Sequence, residues 1–124
     1  MAANAAIPVV AAASVAACAA IGNAERGRDV FLARDAGHCV LCHSIPGVPV
    51  AGNVGPALAG VGERLSPAEI RDRIADITRI KPGALMPAFS RTEALRRVAP
   101  QYMNRPVLTA QQVEDLVAFL SSLK

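Results

Sequence analysis

Two cysteines and a histidine stand together in the order Cys39-Val40-Leu41-Cys42-His43. Thiols at this spacing can each form a thioether with one vinyl group of the same porphyrin, and the histidine that follows can coordinate the porphyrin iron. A C-x-x-C-H sequence is the pattern of c-type haem attachment. The motif therefore predicts one covalent haem c, bound through Cys39 and Cys42, with His43 as an axial ligand.

Other uses of paired thiols fit this chain less well. A structural zinc site needs four ligands, usually in two separated Cys or His pairs, and outside the motif the sequence offers only Cys18 and His38. A thioredoxin-like dithiol needs a βαβ setting, and no alternating strand pattern is visible. We interpret His38 as a solvated loop residue.

The second axial ligand decides whether the iron binds small molecules or only exchanges electrons. A methionine thioether favours Fe(II) and raises the reduction potential. Met86 follows Pro82-Gly83 and precedes Pro87, in a stiff loop far enough from His43 to reach the opposite face of a haem. Met103, also in a predicted loop, is the alternative. We predict that His43 and Met86 are the two metal ligands.

A loop rich in Gly and Pro is predicted from Ser44 to Gly62, a stretch without charged side chains. A haem-ligating histidine usually donates its other ring N–H to a carbonyl, and Pro56 is our candidate for that acceptor. Arg64 is a candidate partner for a haem propionate, with an ordinary surface arginine as the alternative. We predict apolar walls around the haem from Leu58, Val61, Ile74, Leu85 and Phe89.

No catalytic constellation stands out, and the adjacent Glu114 and Asp115 are predicted to be solvated. The formal net charge is +3, but from Arg79 to Arg105 six basic residues oppose one acidic residue. Few aromatic residues interleave them, so nucleic-acid binding is not favoured. A docking face for an acidic protein or a small anion is favoured, with an ordinary solvated surface as the alternative.

The first 22 residues carry no charged side chain. This alanine-rich segment resembles the apolar part of a secretory signal, with possible cleavage after Ala19 or Ala24, although the basic residues that normally precede it are missing. A retained anchor is disfavoured by Pro8 and by the weak hydropathy of alanine, and a disordered arm is the third option. Cys18 is only a loose match to a lipoprotein processing site. We predict an export segment over residues 1–22.

Residues 23–124 are predicted to form one haem domain located in the periplasm, because haem attachment is normally completed outside the cytoplasm. Helix periodicity dominates, and no strand is predicted. The first helix is expected over Asn23–Asp35, with Gly37 ending it and Gly27 allowing a close helix crossing.

A second helix begins at the capping box Ser66–Glu69, with Pro67 in the preferred first position, and is expected to end at Lys81–Gly83. A short helix is expected over Thr92–Val98. A second capping box, Thr109–Gln112, begins the last helix, whose apolar residues recur at helical spacing.

Three features together resemble class I cytochrome c. They are Gly27-x-x-x-Phe31 before the haem motif, Gly55-Pro56-Ala57-Leu58 after it, and Met86-Pro87 before a final amphipathic helix. The resemblance spans residues 23–124. It implies an all-α fold in which the first and last helices cross at the glycine and the helices pack around one haem.

A narrower resemblance is to the SoxX family, the monohaem subunits of the SoxAX cytochromes of bacterial sulfur oxidation. The long insert between Met86 and the last helix also fits that family. The similar segments are Gly55–Gly62, Arg71–Ile74, Met86–Phe89 and Pro106–Leu120.

The SoxX resemblance implies a chain without its own catalytic group. Its partner would be a SoxA-like dihaem or monohaem cytochrome subunit, which holds the active haem and a modified cysteine. The complex would act as an L-cysteine S-thiosulfotransferase that couples thiosulfate to the carrier SoxYZ. By resemblance, His43 and Met86 are the axial ligands, and electrons pass from SoxA through this chain to a soluble cytochrome. The alternatives are a free-standing monohaem carrier for an oxidase or reductase, and a ligand-sensing haem module.

Overall fold

The computed structural model describes residues 21–124, and within this range the chain forms helices, turns and loops but no strand. Residues 1–20, including Cys18 and most of the predicted export segment, lie outside the described residues. The α-helices are α1 (Ala24–Leu32), α2 (Val61–Arg64), α3 (Pro67–Asp76) and α4 (Ala110–Ser121). Short 3-10 helices cover Cys39–Leu41, Ile77–Arg79 and Pro100–Tyr102. The all-α prediction is confirmed.

Helix α1 begins where the sequence predicts and ends earlier. The Asn23 side chain accepts a hydrogen bond from the Arg26 N–H at 2.9 Å, as an N-cap does. The helix ends at Leu32 rather than Asp35. Gly37 is therefore not its stop. Gly37 instead packs close to α1 and to the haem motif: an added Cβ would be 3.1 Å from the Val30 carbonyl oxygen and 2.8 Å from the Cys39 sulfur.

Helix α3 has the predicted capping box, in which Ser66 and Glu69 exchange side-chain and backbone hydrogen bonds. It ends at Asp76, before the predicted stop at Lys81–Gly83. The Asp76 carboxylate accepts from the Thr78 N–H at 3.0 Å and from the Thr78 hydroxyl. After these bonds the chain continues as the 3-10 helix Ile77–Arg79. The short Asp side chain accepts a backbone hydrogen bond locally, which competes with the α-helical hydrogen bond to a carbonyl four residues earlier.

Helices α1 and α4 cross at Gly27, as the family resemblance implies. A Cβ added there would lie 1.9 Å from the Asp115 carbonyl oxygen, so only glycine permits this approach. Phe31 meets Phe119 edge to face, with ring centroids 5.9 Å apart. The buried apolar side chains are Phe31, Val40, Ile45, Val61, Ile70, Ile74, Phe89, Leu108, Val113, Leu116, Val117, Phe119 and Leu120.

Two acidic residues predicted to be solvated are instead engaged between helices. Asp115 is buried, with 3% of its surface exposed, and pairs with Arg26 of α1. Glu114 pairs with Arg71 of α3 at 2.6 Å. The solvated-pair prediction was wrong because helix α4 is covered by α1 and α3 on the sides that carry these carboxylates.

The predicted short helix Thr92–Val98 is absent from the structure, which shows bends there. Ala94 and Arg97 have left-handed backbone conformations, with φ of 53° and 56°. A left-handed residue cannot continue a right-handed helix, so these residues divide the segment into turns. Among the helices of residues 21–124, none combines the length and hydropathy needed to cross a bilayer.

Candidate functional site

The haem motif sits on a short 3-10 helix that the following loop holds by backbone hydrogen bonds. The His43 N–H donates to the Cys39 carbonyl at 2.9 Å. From the loop, the Gly52 N–H donates to the Val40 carbonyl at 2.9 Å and the Gly55 N–H to the Cys42 carbonyl at 2.8 Å. The uncharged loop is thus folded back onto the motif along its length.

His43 is oriented by a carbonyl of that loop. Its Nδ1 atom lies 2.7 Å from the carbonyl oxygen of Pro56, the acceptor that the sequence analysis named. A carbonyl only accepts hydrogen bonds, so Nδ1 carries the proton and Nε2 keeps its lone pair. A histidine whose other ring nitrogen is held in this way presents Nε2 as a ready metal ligand.

Gly55 permits this arrangement, and the sequence analysis did not identify its part in it. A Cβ added to Gly55 would lie 2.3 Å from Cε1 and 2.7 Å from Nε2 of His43. The peptide backbone therefore lies directly against the imidazole ring. The glycine before Pro56 is the only signal of this close approach in the sequence.

Cys39 and Cys42 are half-buried, and no disulfide joins them. Burial raises the pKa of the Cys39 thiol to about 11. Within residues 21–124, no group of three or more His, Cys, Asp or Glu side chains is placed to hold a metal ion, so the structure gives no support to the zinc alternative. Cys39 packs against the main hydrophobic core.

The two candidate methionines occupy different environments. Met86 is half-buried and packs against the same core as Cys39, whereas Met103 is 58% exposed. This difference favours Met86 as the sulfur donor of the site. The roles of both methionines toward the iron remain predictions.

Four of the five residues predicted to form apolar walls lie in the hydrophobic core or against it. Val61, Ile74 and Phe89 are buried in the core, and Leu58 packs against it. Leu85 was predicted to join them but is 87% exposed. It precedes Met86 on the loop, and its side chain lies outside the core that Met86 contacts.

Arg64 holds the loop that carries Pro56. Its guanidinium donates to the Ala59 carbonyl at 2.6 Å and to the Ala57 carbonyl at 3.3 Å. Arg64 is an exposed arginine, and these two carbonyls are its hydrogen-bond partners among the described residues. It fastens the residues that follow the acceptor of the His43 N–H.

These observations fit a covalent haem c. The two thiols and the imidazole lie on one turn, the imidazole has its Nε2 lone pair available, and the absence of a Cβ at Gly37 and Gly55 lets the backbone lie close to Cys39 and His43. Cys39 and His43 would hold the group on one side, with Met86 as the candidate donor on the other.

Comparisons with known proteins agree with this site. The chain matches the family model described as cytochrome c over residues 24–124. It is also similar to a chain in the crystal structure of SoxXA from P. pantotrophus, with 36% sequence identity and a TM-score of 0.77. That match covers 85% of this chain and 84% of the solved one. No curated protein sequence matches. The chain therefore belongs to the cytochrome c family, in which it is a SoxX-like electron-transfer protein with covalently bound haem c.

Proposed function

We propose that this cytochrome is the electron-transfer subunit of a SoxAX-type complex that oxidises thiosulfate in the periplasm. The main support is the similarity to the SoxXA structure, which extends over 85% of this chain at 36% identity.

The residues of the site have distinct parts in this proposal. Cys39 and Cys42 form the thioethers, and His43 binds the iron through Nε2 while Pro56 holds its other ring nitrogen. Met86 supplies the sulfur ligand, which favours the ferrous state. The haem c supplies a one-electron Fe(III)/Fe(II) couple. Apolar packing from Val61 and Phe89 keeps water away and raises the potential further.

The proposed electron path follows the SoxX resemblance. A SoxA-like subunit, dihaem or monohaem, carries the chemistry in which thiosulfate is joined to the carrier SoxYZ. This chain accepts the electrons released and passes them to a soluble cytochrome. Export to the periplasm fits both the haem motif and the apolar segment over residues 1–22.

Co-purification from the native periplasm tests the subunit assignment. We expect a second polypeptide that stains for covalent haem to elute with this chain in a fixed ratio through affinity and size-exclusion steps. Recovery of this cytochrome alone, with full electron transfer to an oxidase or reductase, would instead support the free-standing carrier.

Methionine variants test the axial ligand separately. Met86→Ala should abolish the near-red absorbance band that marks sulfur ligation of ferric iron, and should lower the midpoint potential because the donor that stabilises Fe(II) is lost. Met103→Ala, at an exposed position, should leave both unchanged. The reverse pattern would show that Met103 is the ligand.

A further inference from the structure

A long loop between Phe89 and α4 is not needed for the haem site described above. The Val107 and Leu108 N–H groups both donate to the Phe89 carbonyl, at 2.9 and 3.2 Å, which closes the loop at its base. Phe89 and Leu108 are buried. Loops longer than about 12–15 residues are uncommon in compact domains and are usually functional or disordered. The two ends of this loop are hydrogen-bonded to each other, and Phe89 and Leu108 at these ends are buried.

The loop lines a cavity of about 610 Å³ that carries a high density of positive charge. Its volume falls within the range of small-molecule sites, about 300–1,000 Å³. No acidic residue is among its lining residues. Those residues are Pro87, Ala88, Arg91, Ala94, Leu95, Arg96, Arg97, Val98, Ala99, Tyr102, Arg105 and Val107.

Among the described residues, the arginines of this cavity have few carboxylate partners. Within residues 21–124, Arg96, Arg97 and Arg105 form no ion pair with a carboxylate, and Arg91 reaches Asp76 only at 3.5 Å. Arg26, in contrast, has a close carboxylate partner at 2.9 Å. Four guanidinium groups thus line one cavity. Asp76, 3.5 Å from Arg91, is the one carboxylate of residues 21–124 that pairs with any of them.

The cavity lining also includes a buried donor without a partner and two residues with an unusual backbone conformation. The Nε atom of Arg91 is buried, and no atom of the described residues accepts its hydrogen. An orphaned donor of this kind is costly, while Nη1 of the same guanidinium lies 3.5 Å from Asp76 and 3.4 Å from the Thr78 hydroxyl. The unusual left-handed backbone of Ala94 and Arg97, both in the cavity lining, is of the kind that clusters at ligand clamps.

We propose that this cavity, the arginine cavity, binds a small polyvalent oxyanion. Guanidinium groups are permanently charged and present paired donors that match phosphate-type oxygens in a bidentate manner. Two or more such groups around one anion give a strong preference for multiple negative charges. Pro87 and Ala88 form part of the wall of the cavity. The bound anion therefore lies next to the loop segment that contains Met86. This site goes beyond electron transfer and does not depend on the SoxA partner.

Calorimetric titration of the haem-loaded protein with inorganic pyrophosphate, at a constant ionic strength of about 0.15 M set with chloride, tests the proposal. We expect saturable binding with one anion per chain. The double variant Arg96→Gln/Arg97→Gln should weaken binding by about tenfold or more, because it removes charge-assisted hydrogen bonds. The variant Arg96→Lys/Arg97→Lys keeps the charge but not the paired donors, and should bind with intermediate affinity.

The matched control is Arg28→Gln/Arg34→Gln, which removes the same net charge from two exposed positions outside the cavity. It should leave the affinity within about twofold, since distant surface charges are largely screened. An equal loss of affinity in the control and cavity variants would show non-specific attraction and overturn the proposal. Absence of saturable binding in the folded protein would also overturn it, and would leave the arginines to an acidic protein surface. Circular dichroism and the haem spectrum establish folding of each variant independently of binding.

Discussion

Arg26 and Asp115 join the first and last helices through a bidentate ion pair. The Arg26 Nε lies 2.9 Å from Oδ2 and its Nη2 lies 3.0 Å from Oδ1 of Asp115. The same carboxylate accepts from the Asn23 N–H at 2.8 Å and from the Gln111 side chain at 3.0 Å. With only 4% of its side chain exposed, Asp115 fastens the N-terminus of α1 to α4 where the two helices cross.

Removal of this charge should destabilise the domain. We expect Asp115→Asn to lower the free energy of unfolding by about 1–2 kcal/mol, because charge-assisted hydrogen bonds to a buried carboxylate are lost. Urea denaturation of the haem-loaded protein measures the change. Glu114→Gln is the matched control: its pair with Arg71 is more exposed and should contribute about 0.2–1 kcal/mol. Equal effects of the two variants would contradict a special role for Asp115.

The contribution of Asp115 to the stability of the domain should be lost at low pH. Hydrogen bonds from Arg26, followed by those from Asn23 and Gln111, lower the pKa of Asp115 from 3.8 to about 2. A carboxyl with a lowered folded-state pKa contributes its stability above the unfolded value and loses it as the pH falls through the folded value. We therefore expect the stability difference between the wild type and Asp115→Asn to shrink as pH falls from above 3.8 to about 2. Denaturation at several pH values measures this difference, and a constant difference would refute the assignment.

Gly27 should be required for the helix crossing. Gly27→Ala would place a Cβ 1.9 Å from the Asp115 carbonyl oxygen, so the helices must separate. We expect a loss of stability of about 1–3 kcal/mol from this overpacking, measured by thermal unfolding of the haem-loaded protein. Gly47→Ala is the control, since a Cβ there meets nothing within 4 Å and only the positive φ of 78° is strained. A larger loss at Gly47 would show that backbone conformation, not crossing distance, dominates.

Gly55 should govern the orientation of the His43 imidazole. In Gly55→Ala the new Cβ would approach Cε1 of His43 to 2.3 Å and push the ring away from Pro56. We expect altered haem visible and NMR spectra and a shifted midpoint potential, because the His43–Pro56 hydrogen bond tunes the ligand. Gly83→Ala, in open space with φ of 80°, should leave the His43 resonances unchanged. Unchanged spectra in Gly55→Ala would contradict this role of the glycine.

Processing of an exported chain should leave Asn23 in place. Cleavage after Ala24 would remove the Asn23 cap and its N–H bond to Asp115, and loss of such a cap costs about 1 kcal/mol. The Gln111 side chain also donates to the Ile21 carbonyl at 3.0 Å. Of the two predicted positions, we therefore expect cleavage after Ala19. Mass spectrometry of the mature periplasmic protein determines the N-terminus, and a chain beginning at Glu25 would disprove this expectation.

Local sequence determined the features whose partners lie within a few residues. The haem motif, the Asn23 cap and the capping boxes at Ser66 and Thr109 were all predictable, because their geometry follows from fixed spacings along the chain. The Pro56 acceptor could also be named, since a charge-free loop close to His43 leaves few candidates.

Tertiary structure alone decided the contacts between distant segments. Arg26 and Asp115 are 89 positions apart, and nothing in the pattern of α4 distinguishes its acidic residues from solvated ones. Likewise, Thr92–Val98 favours a helix by composition, but closure of the loop onto Phe89 is accompanied by left-handed turns and an arginine-lined cavity. Short-range hydrogen bonds are determined by the identity and spacing of neighbouring residues. Whether a charged side chain is solvated or buried in an ion pair depends instead on which helix covers it, and that depends on the packing of the whole domain.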